Sequence, residues 1–288
     1  VKAKLKINEY GVFRGRKRIA GKTEEEVFEQ VNLPWIPPEL RENNGEIEAA
    51  LENRLPDLVQ EDDIRGDLHM HTSATDGRNS LREMAEAARD LGYEYIAITD
   101  HSKRLTMANG LDARRLRQQI AAIDKLNDEL NGIRVLKGIE VDILEDGRLD
   151  LADDVLDELD ITVCSIHSRF ELSKKQQTER VLRAMDNPHF RILGHPTGRI
   201  LHERGPLELD MERLIEGAAD RGCVLEINAQ PSRLDLTDTD ARYARDQGVP
   251  LAISTDAHNA HNLALVGHGV DQARRGWVRA ADVINTRT

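Results

Sequence analysis

The chain has 288 residues, of which 39% are hydrophobic and 32% charged, with a net charge of -12. That length suits one large domain with an appendage or two ordinary domains, and no apolar run approaches a membrane span. The acidic balance argues against a general nucleic-acid binder, although bound divalent cations would offset negative charge locally and a basic patch can coexist with a negative total.

The first 60 residues read differently from the rest. Lys2 to Ile7 alternates as a short strand, Asn8-Glu9-Tyr10-Gly11 is a turn, and Val12-Phe13 resumes a strand. Arg14-Gly15-Arg16-Lys17-Arg18 is the densest basic run. Its simplest reading is a solvated hairpin turn; tracking a DNA backbone is the functional alternative. Thr23-Glu24-Glu25-Glu26 before Val27-Phe28 has the form of a capping box. Pro34, Pro37 and Pro38 break any helix there, and residues 45–52 suit a short helix. So few apolar residues cannot make a core alone, so this segment is expected to belong to a larger domain.

From residue 61 a unit repeats: a short apolar strand, a loop, a helix. Strands are expected at 64–69, 94–99, 133–141, 160–166, 191–194, 223–228 and 251–254. Helices are expected near 80–91, 112–130, 153–158, 173–186, 210–220 and 238–247, with short helical stretches after 258. Ser80-x-x-Glu83 and Ser173-x-x-Gln176 are capping boxes, and Gly92, Gly132 and Gly222 are placed to close helices. Strands alternating with helices imply a parallel α/β sheet. Seven units suggest a closed or nearly closed (βα)7 barrel with its site at the strand C-terminal ends; an open doubly wound sheet is the alternative. Cys164 and Cys223 each sit inside an apolar run and read as buried reduced thiols, which suits a cytoplasmic address.

Candidate metal ligands recur at one place in nearly every unit. His69 and His71 stand two apart, so in an extended strand both imidazoles face one way. Asp76 follows them, and His101, Glu140, His167, His195, Asp256 and His258 fall at the ends of later strands. The sixth strand carries Glu226 and Asn228 but no assigned ligand. Each position alone has a bland reading: a surface histidine, a turn residue at Asp76, a backbone cap at Asp100 or Asp142. Jointly these readings fail. Six of the ten histidines fall in the set, while His189, His202, His261 and His268 read as non-ligands. Nine ligands are too many for one ion and suit two or three, with open positions for water and substrate.

These residues resemble the motifs of the PHP (polymerase and histidinol phosphatase) domain over about residues 63–262: His69-x-His71, Thr99-Asp100-His101, Glu140, His167, Gly194-His195-Pro196 and Asp256-x-His258. The lead-in Asp63-Ile64-Arg65-Gly66-Asp67-Leu68 and the stretch Glu226-Ile227-Asn228-Ala229 through Arg233-Leu234-Asp235-Leu236 resemble the C-terminal PHP domain of bacterial family X DNA polymerases. Asn8-Glu9-Tyr10-Gly11 and Leu33 through Glu42 resemble the end of that family's polymerase thumb.

The resemblance implies a thumb fragment over residues 1–60 and a distorted seven-stranded barrel over 61–288. It implies that the chain is a piece of a longer polymerase, with the palm aspartates before Val1 and an end short of the natural C-terminus. It further implies three divalent metal ions, manganese first and zinc or iron as alternatives. His69, His71, Glu140 and Asp256 would hold the first ion; Glu140, His167 and His195 the second; Asp76, His101 and His258 the third. His69, His71, Glu140, His167 and Asp256 would be catalytic, and Arg169, Arg199 and Arg233 are candidates to contact phosphate, each with a surface salt bridge as the bland reading. The implied activity is a metal-dependent 3′-5′ exonuclease on DNA 3′ ends, with 3′-phosphatase or abasic-site cleavage, in repair or proofreading. Its expected partners are DNA and the rest of the polymerase chain, with no membrane and a monomeric state. A small-molecule phosphatase of the histidinol-phosphatase type and a non-catalytic structural module are the alternatives.

Overall fold

The computed structural model describes residues 4–287. The chain divides into two compact units, Val1–Asp57 and Leu58–Thr288.

In the first unit, β1 (Lys6–Asn8), β2 (Gly11–Arg14) and β3 (Lys17–Ala20) form an antiparallel sheet in chain order. The expected strand from Lys2 begins outside the described residues and is seen from Lys6. Helix α1 (Glu24–Glu29) starts at Thr23, whose side chain accepts from the Glu26 amide. The Glu26 carboxylate does not close the expected box. It reaches further back, accepting from the Gly21 and Lys22 amides at 3.0 and 2.9 Å. The proline-rich stretch ends at Arg41, whose guanidinium pairs with Glu24 and lies 5.0 Å from the Phe28 ring centre. Helix α2 (Glu46–Leu51) completes the unit.

The second unit is built on one parallel sheet. Strands β4 (Gly66–Asp67), β5 (Tyr95–Ile98), β6 (Arg134–Asp142), β7 (Ile161–Ser165), β8 (Ile192–Leu193), β9 (Val224–Asn228) and β10 (Leu251–Ser254) lie side by side in chain order. Helices α3 (Leu81–Asp90), α4 (Ala113–Glu129), α5 (Asp153–Leu156), α6 (Lys174–Met185), α7 (Met211–Arg221), α8 (Asp238–Asp246) and α9 (Val266–Arg275) alternate with or follow them. Both serine capping boxes form as read, at Ser80 and Ser173. Gly222 caps α7 in the left-handed region. Gly132 does not close α4, which ends at Glu129 with Leu130 already extended. Among the described residues no helix is long and apolar enough to cross a membrane.

The sheet curls into a nearly closed barrel. Above the first and last strands, Met70 and Ala257 pair in parallel, with the His71 amide 2.8 Å from the Ala257 carbonyl. Lower down, two buried side chains bridge the seam: Asp67 of β4 accepts from the Thr255 amide at 3.2 Å and from the Thr255 hydroxyl, and Asn285 pairs with both edges. The Asn285 amide nitrogen donates to the carbonyls of Gly66 and Ile253, both at 2.7 Å, and its oxygen accepts from the Ile253 amide at 3.0 Å. Asn285 and Asp67 together do for this seam what a strand edge would do in a fully closed ladder. Asn285→Ala should leave these backbone groups buried without partners and lower stability by about 2–4 kcal/mol. Urea unfolding checks this, and an unchanged midpoint would remove Asn285 from the account of closure.

Outside the sheet, apolar residues of the strands and helices form one continuous core that includes Ile96, Ile98, Ile139 and Val141. Inside, Leu68, Ala97, Val163, Ile192 and Ala252 fill the lower lumen. Period-two alternation makes the residues above them on the same strands face inward too. On β6 the inward row runs Leu136, Gly138, Glu140; on β7 it runs Ile161, Val163, Ser165 and continues to His167. The apolar floor thereby gives way to a polar mouth at the strand C-terminal ends.

Candidate metal centre

At that mouth the structure gathers all nine residues singled out as ligands. His69, His71 and Asp256 bring ligand atoms within 4.8 Å of one another; so do His101, Glu140 and His167, and so do His71, Asp76, His101 and His258. His195 joins through its Nε2, 2.9 Å from Glu140 Oε1.

Glu140 is the hub. Its Oε1 faces His195 and, at 3.2 Å, His167 Nε2. Its Oε2 faces His101 Nδ1 at 2.7 Å, His69 Nε2 at 3.5 Å and His71 Nε2 at 3.6 Å. Asp256 Oδ1 lies 3.1 Å from His71 Nε2 and 3.6 Å from His69 Nε2. Asp76 Oδ2 lies 3.3 Å from His101 Nε2 and 3.4 Å from His258 Nε2.

Three imidazoles are held from behind. His69 Nδ1 is 2.7 Å from Glu226, His167 Nδ1 is 2.5 Å from Asp142, and His258 Nδ1 is 2.9 Å from the Asp256 carbonyl. A proton donated to each acceptor leaves the Nε2 lone pair aimed at the cluster, which is how a histidine is prepared to ligate. Glu226 also accepts from the His195 amide at 2.6 Å and from Asn228 at 3.1 Å. Gly194 permits this crowding, because a Cβ there would sit 2.5 Å from Ser165 Oγ and 3.6 Å from the His69 ring.

The donor set fits divalent cations. His69 Nε2 and His71 Nδ1 are buried with no hydrogen-bond partner among the described residues, and His101 Nδ1 and Glu140 Oε2 lie 2.7 Å apart without the alignment of a hydrogen bond. Buried polar atoms left unpartnered are costly, so a group of them facing one another marks a place for a shared positive charge. The electrostatics agree. Burial alone would lower the His69 pKa, but the Glu226, Asp256 and Glu140 carboxylates hold it well above the usual histidine range. Burial likewise opposes charge on Glu140 and Asp256, yet the surrounding imidazoles keep both well below the usual carboxylate range. His71 goes the other way, down to about 4, through burial and then repulsion from His101.

The three arginines fare differently. Arg233 Nε lies 3.5 Å from Asp256 Oδ2, with its side chain largely buried against the cluster. Arg169 is exposed and turned to Glu145 and Glu171 at 3.0 and 3.2 Å. Arg199 is spent on backbone, donating to the carbonyls of Arg233, at 2.8 Å, and Leu234. It braces the loop that carries Arg233.

Sequence reasoning missed the supporting carboxylates. From sequence Glu226 carries no assigned role, and Asp142 reads as a backbone cap. A usable signal existed: Asp142 follows Glu140 by two on β6, and Glu226 and Asn228 are an i,i+2 pair on β9, so each shares an inward face with the site. Asp100 does behave as a cap, accepting from the Thr72 amide at 2.8 Å, the Thr72 and Thr75 hydroxyls and Gln119. Glu226→Gln should keep a hydrogen bond to His69 while removing the charge behind the ring. We expect manganese affinity to fall about 10–100-fold, measured by calorimetric titration. Unchanged affinity would mean that Glu226 only packs.

Comparison with known proteins places these features. The PHP domain family model matches residues 67–230, and the DNA polymerase beta thumb model matches residues 1–42. The DNA polymerase/3′-5′ exonuclease PolX of Bacillus subtilis is 47% identical over 92% of this chain, which spans 46% of that protein's length. A probable phosphatase of Thermoanaerobacter is 28% identical over 76% of this chain and 89% of its own. The solved histidinol phosphate phosphatase of Lactococcus lactis, complexed with zinc, L-histidinol and phosphate, shares the fold: TM-score 0.53, 17% identity, 73% of this chain and 93% of that one.

Proposed function

This chain belongs to the PHP domain family, and on that premise we propose that it is a divalent-metal-dependent phosphoesterase acting on DNA 3′ ends. The observation that carries the reading is Glu140, whose two oxygens each serve a different set of imidazoles. A carboxylate so placed suits a bridge between neighbouring ions. His69, His71, Glu140 and Asp256 would hold one ion, Glu140, His167 and His195 a second, and Asp76, His101 and His258 a third. Manganese is the ion we favour, with zinc or iron as alternatives. When bound, such ions supply an acidified water as nucleophile and neutralise phosphate charge.

The chain's own residues do the rest. Glu226, Asp142 and the Asp256 carbonyl fix three imidazoles in the ligating tautomer. Arg233, the arginine placed against the cluster, is positioned to hold a phosphate oxygen and orient the scissile bond. Arg199 keeps that loop in place, and Arg169 is available to substrate only by leaving its two carboxylates. No side-chain nucleophile is required.

DNA as substrate is supported by the thumb match at residues 1–42 and by the likeness to a polymerase/exonuclease. We assign the activity to 3′-5′ nucleotide removal, with 3′-phosphatase or abasic-site cleavage alongside, in repair or proofreading, by a cytoplasmic monomeric domain of a longer polymerase. The second reading, a phosphatase for small monoesters, is favoured by the shared fold of the Lactococcus lactis enzyme. A 3′-labelled oligonucleotide and histidinol phosphate, each with manganese, separate the two. Release of labelled nucleotide is expected; robust monoester turnover without it would sink the DNA reading. Correctly folded protein that binds neither manganese nor zinc would instead point to a structural module.

A further inference from the structure

Charge is distributed unevenly along this chain. The whole carries -12, yet its first 22 residues hold eight Lys and Arg against one acid, Glu9. The fold concentrates several of these on one hairpin. Arg14 at the end of β2 pairs in register with Lys17 at the start of β3. Residues directly opposite in an antiparallel pair share a face with Cβ atoms about 5 Å apart, and like charges so placed destabilise the sheet. Between them the tip is Gly15-Arg16, with Gly15 at φ 65° and open space around it. All five residues from Arg14 to Arg18 are exposed.

Nothing nearby relieves the repulsion. Arg14, Arg16 and Lys17 make no side-chain hydrogen bond or ion pair among the described residues. Of the nearby acids, Glu24 is engaged with Arg41 and Trp35 and Glu26 with the amides of Gly21 and Lys22, while Glu9 and Glu25 pair with none of the three cations among the described residues. Arg18 is tied to the Gly21 carbonyl at 2.9 Å. Guarding a sheet edge against aggregation accounts for cations on β3, which is an edge strand. It does not account for Arg14, because β2 is the central strand.

We propose that Arg14, Arg16 and Lys17 form a binding surface for the phosphodiester backbone of DNA. Duplex DNA presents a phosphate about every 3.4 Å along each strand, so adjacent unpaired cations can each meet one and release condensed counterions. This rests on the reading that the substrate is DNA, and it assigns part of substrate capture to the first unit.

The test is binding of a fluorescent DNA duplex to the whole chain, followed from about 50 to about 200 mM salt. The variant is Arg14→Gln with Arg16→Gln and Lys17→Gln. The control removes three other exposed charges, Lys125→Gln with Lys174→Gln and Lys175→Gln. The hairpin variant should bind about tenfold more weakly or worse at low salt, with the log–log salt slope shallower by about 2–3; the control should keep the slope. The melting temperature of the hairpin variant should hold or rise, since a like-charge pair is gone. An unchanged slope, an equal loss in the control, or binding to phosphatidylserine vesicles in place of DNA overturns the proposal. Nucleotide release by the wild type is scored separately. Cleavage of DNA with an unchanged hairpin slope sinks this proposal alone, whereas DNA binding through the hairpin without cleavage sinks only the nuclease reading.

Discussion

Glu140→Gln should reduce phosphoester turnover by about 10³–10⁴-fold with the protein still folded. The side chain is buried and isosteric with its replacement, so packing changes little. The electronics change at both ends. A carboxylate offers an acceptor to each set of imidazoles; an amide offers one, and turns donors toward nitrogens whose lone pairs should face a cation. The imidazoles of His167, His101 and His69, which outweigh burial in keeping Glu140 ionised, also lose their shared counter-charge. An ion that stabilises a developing charge is worth several kcal/mol, and each 1.36 kcal/mol is about tenfold in rate. Turnover at saturating manganese, with metal content by mass spectrometry, decides it. Activity within about tenfold of wild type would show that Glu140 is not the shared ligand.

Removing metal from the wild type should lower the melting temperature of the barrel unit by about 5–10 °C. A ligand at a hundred times its Kd stabilises by about 2.7 kcal/mol, and in a domain of this size each kcal/mol moves Tm by about 2–4 °C. The metal-free form also has a distinctive pH dependence. Burial works against protonation of His101 and His167, but Glu140 and its neighbours raise them to about 10 and about 9. Groups whose folded pKa is raised contribute stability that is full below the unfolded value near 6.5 and disappears as pH rises through the folded values. The metal-free protein should therefore lose stability progressively from about pH 6.5 to about pH 10. The loaded protein should lose it as pH falls, because protons compete with metal for the same nitrogens. Calorimetric scans with and without chelator read both slopes. Identical profiles would mean that no ion binds at this cluster.

Much of this is legible in the sequence, and the reasons are local. Ser80 with Glu83 and Ser173 with Gln176 cap their helices because each box closes within four residues. The seven apolar strands are legible because parallel strands covered by helices are apolar on their outer face. What local pattern could not give was how long each strand stays in the ladder. The run 64–69 was expected to be one strand, but only Gly66–Asp67 pairs regularly. Beyond it, Met70 takes the Thr99 hydroxyl and backbone as partners, at 3.0 and 2.9 Å, and the His71 amide donates to the Ala257 carbonyl at 2.8 Å. Those contacts hold the segment whose His69 and His71 lie beside Glu140. Arg169, Arg199 and Arg233 looked alike as candidates. Only neighbours far away in sequence separate them, two committed to other partners and one beside Asp256.

The sequence by itself determined the alternation of strands and helices, the residue types at the strand ends, and the basic run at Arg14–Arg18, because these depend on neighbours a few positions apart. Tertiary structure alone decided that Glu226 stands behind His69 across 157 residues and that Asn285 helps to bridge the barrel seam. The physical reason is the same in each case. Residue type sets what a side chain can donate, accept or repel, but which partner it meets is fixed by register and closure, and those belong to the whole sheet.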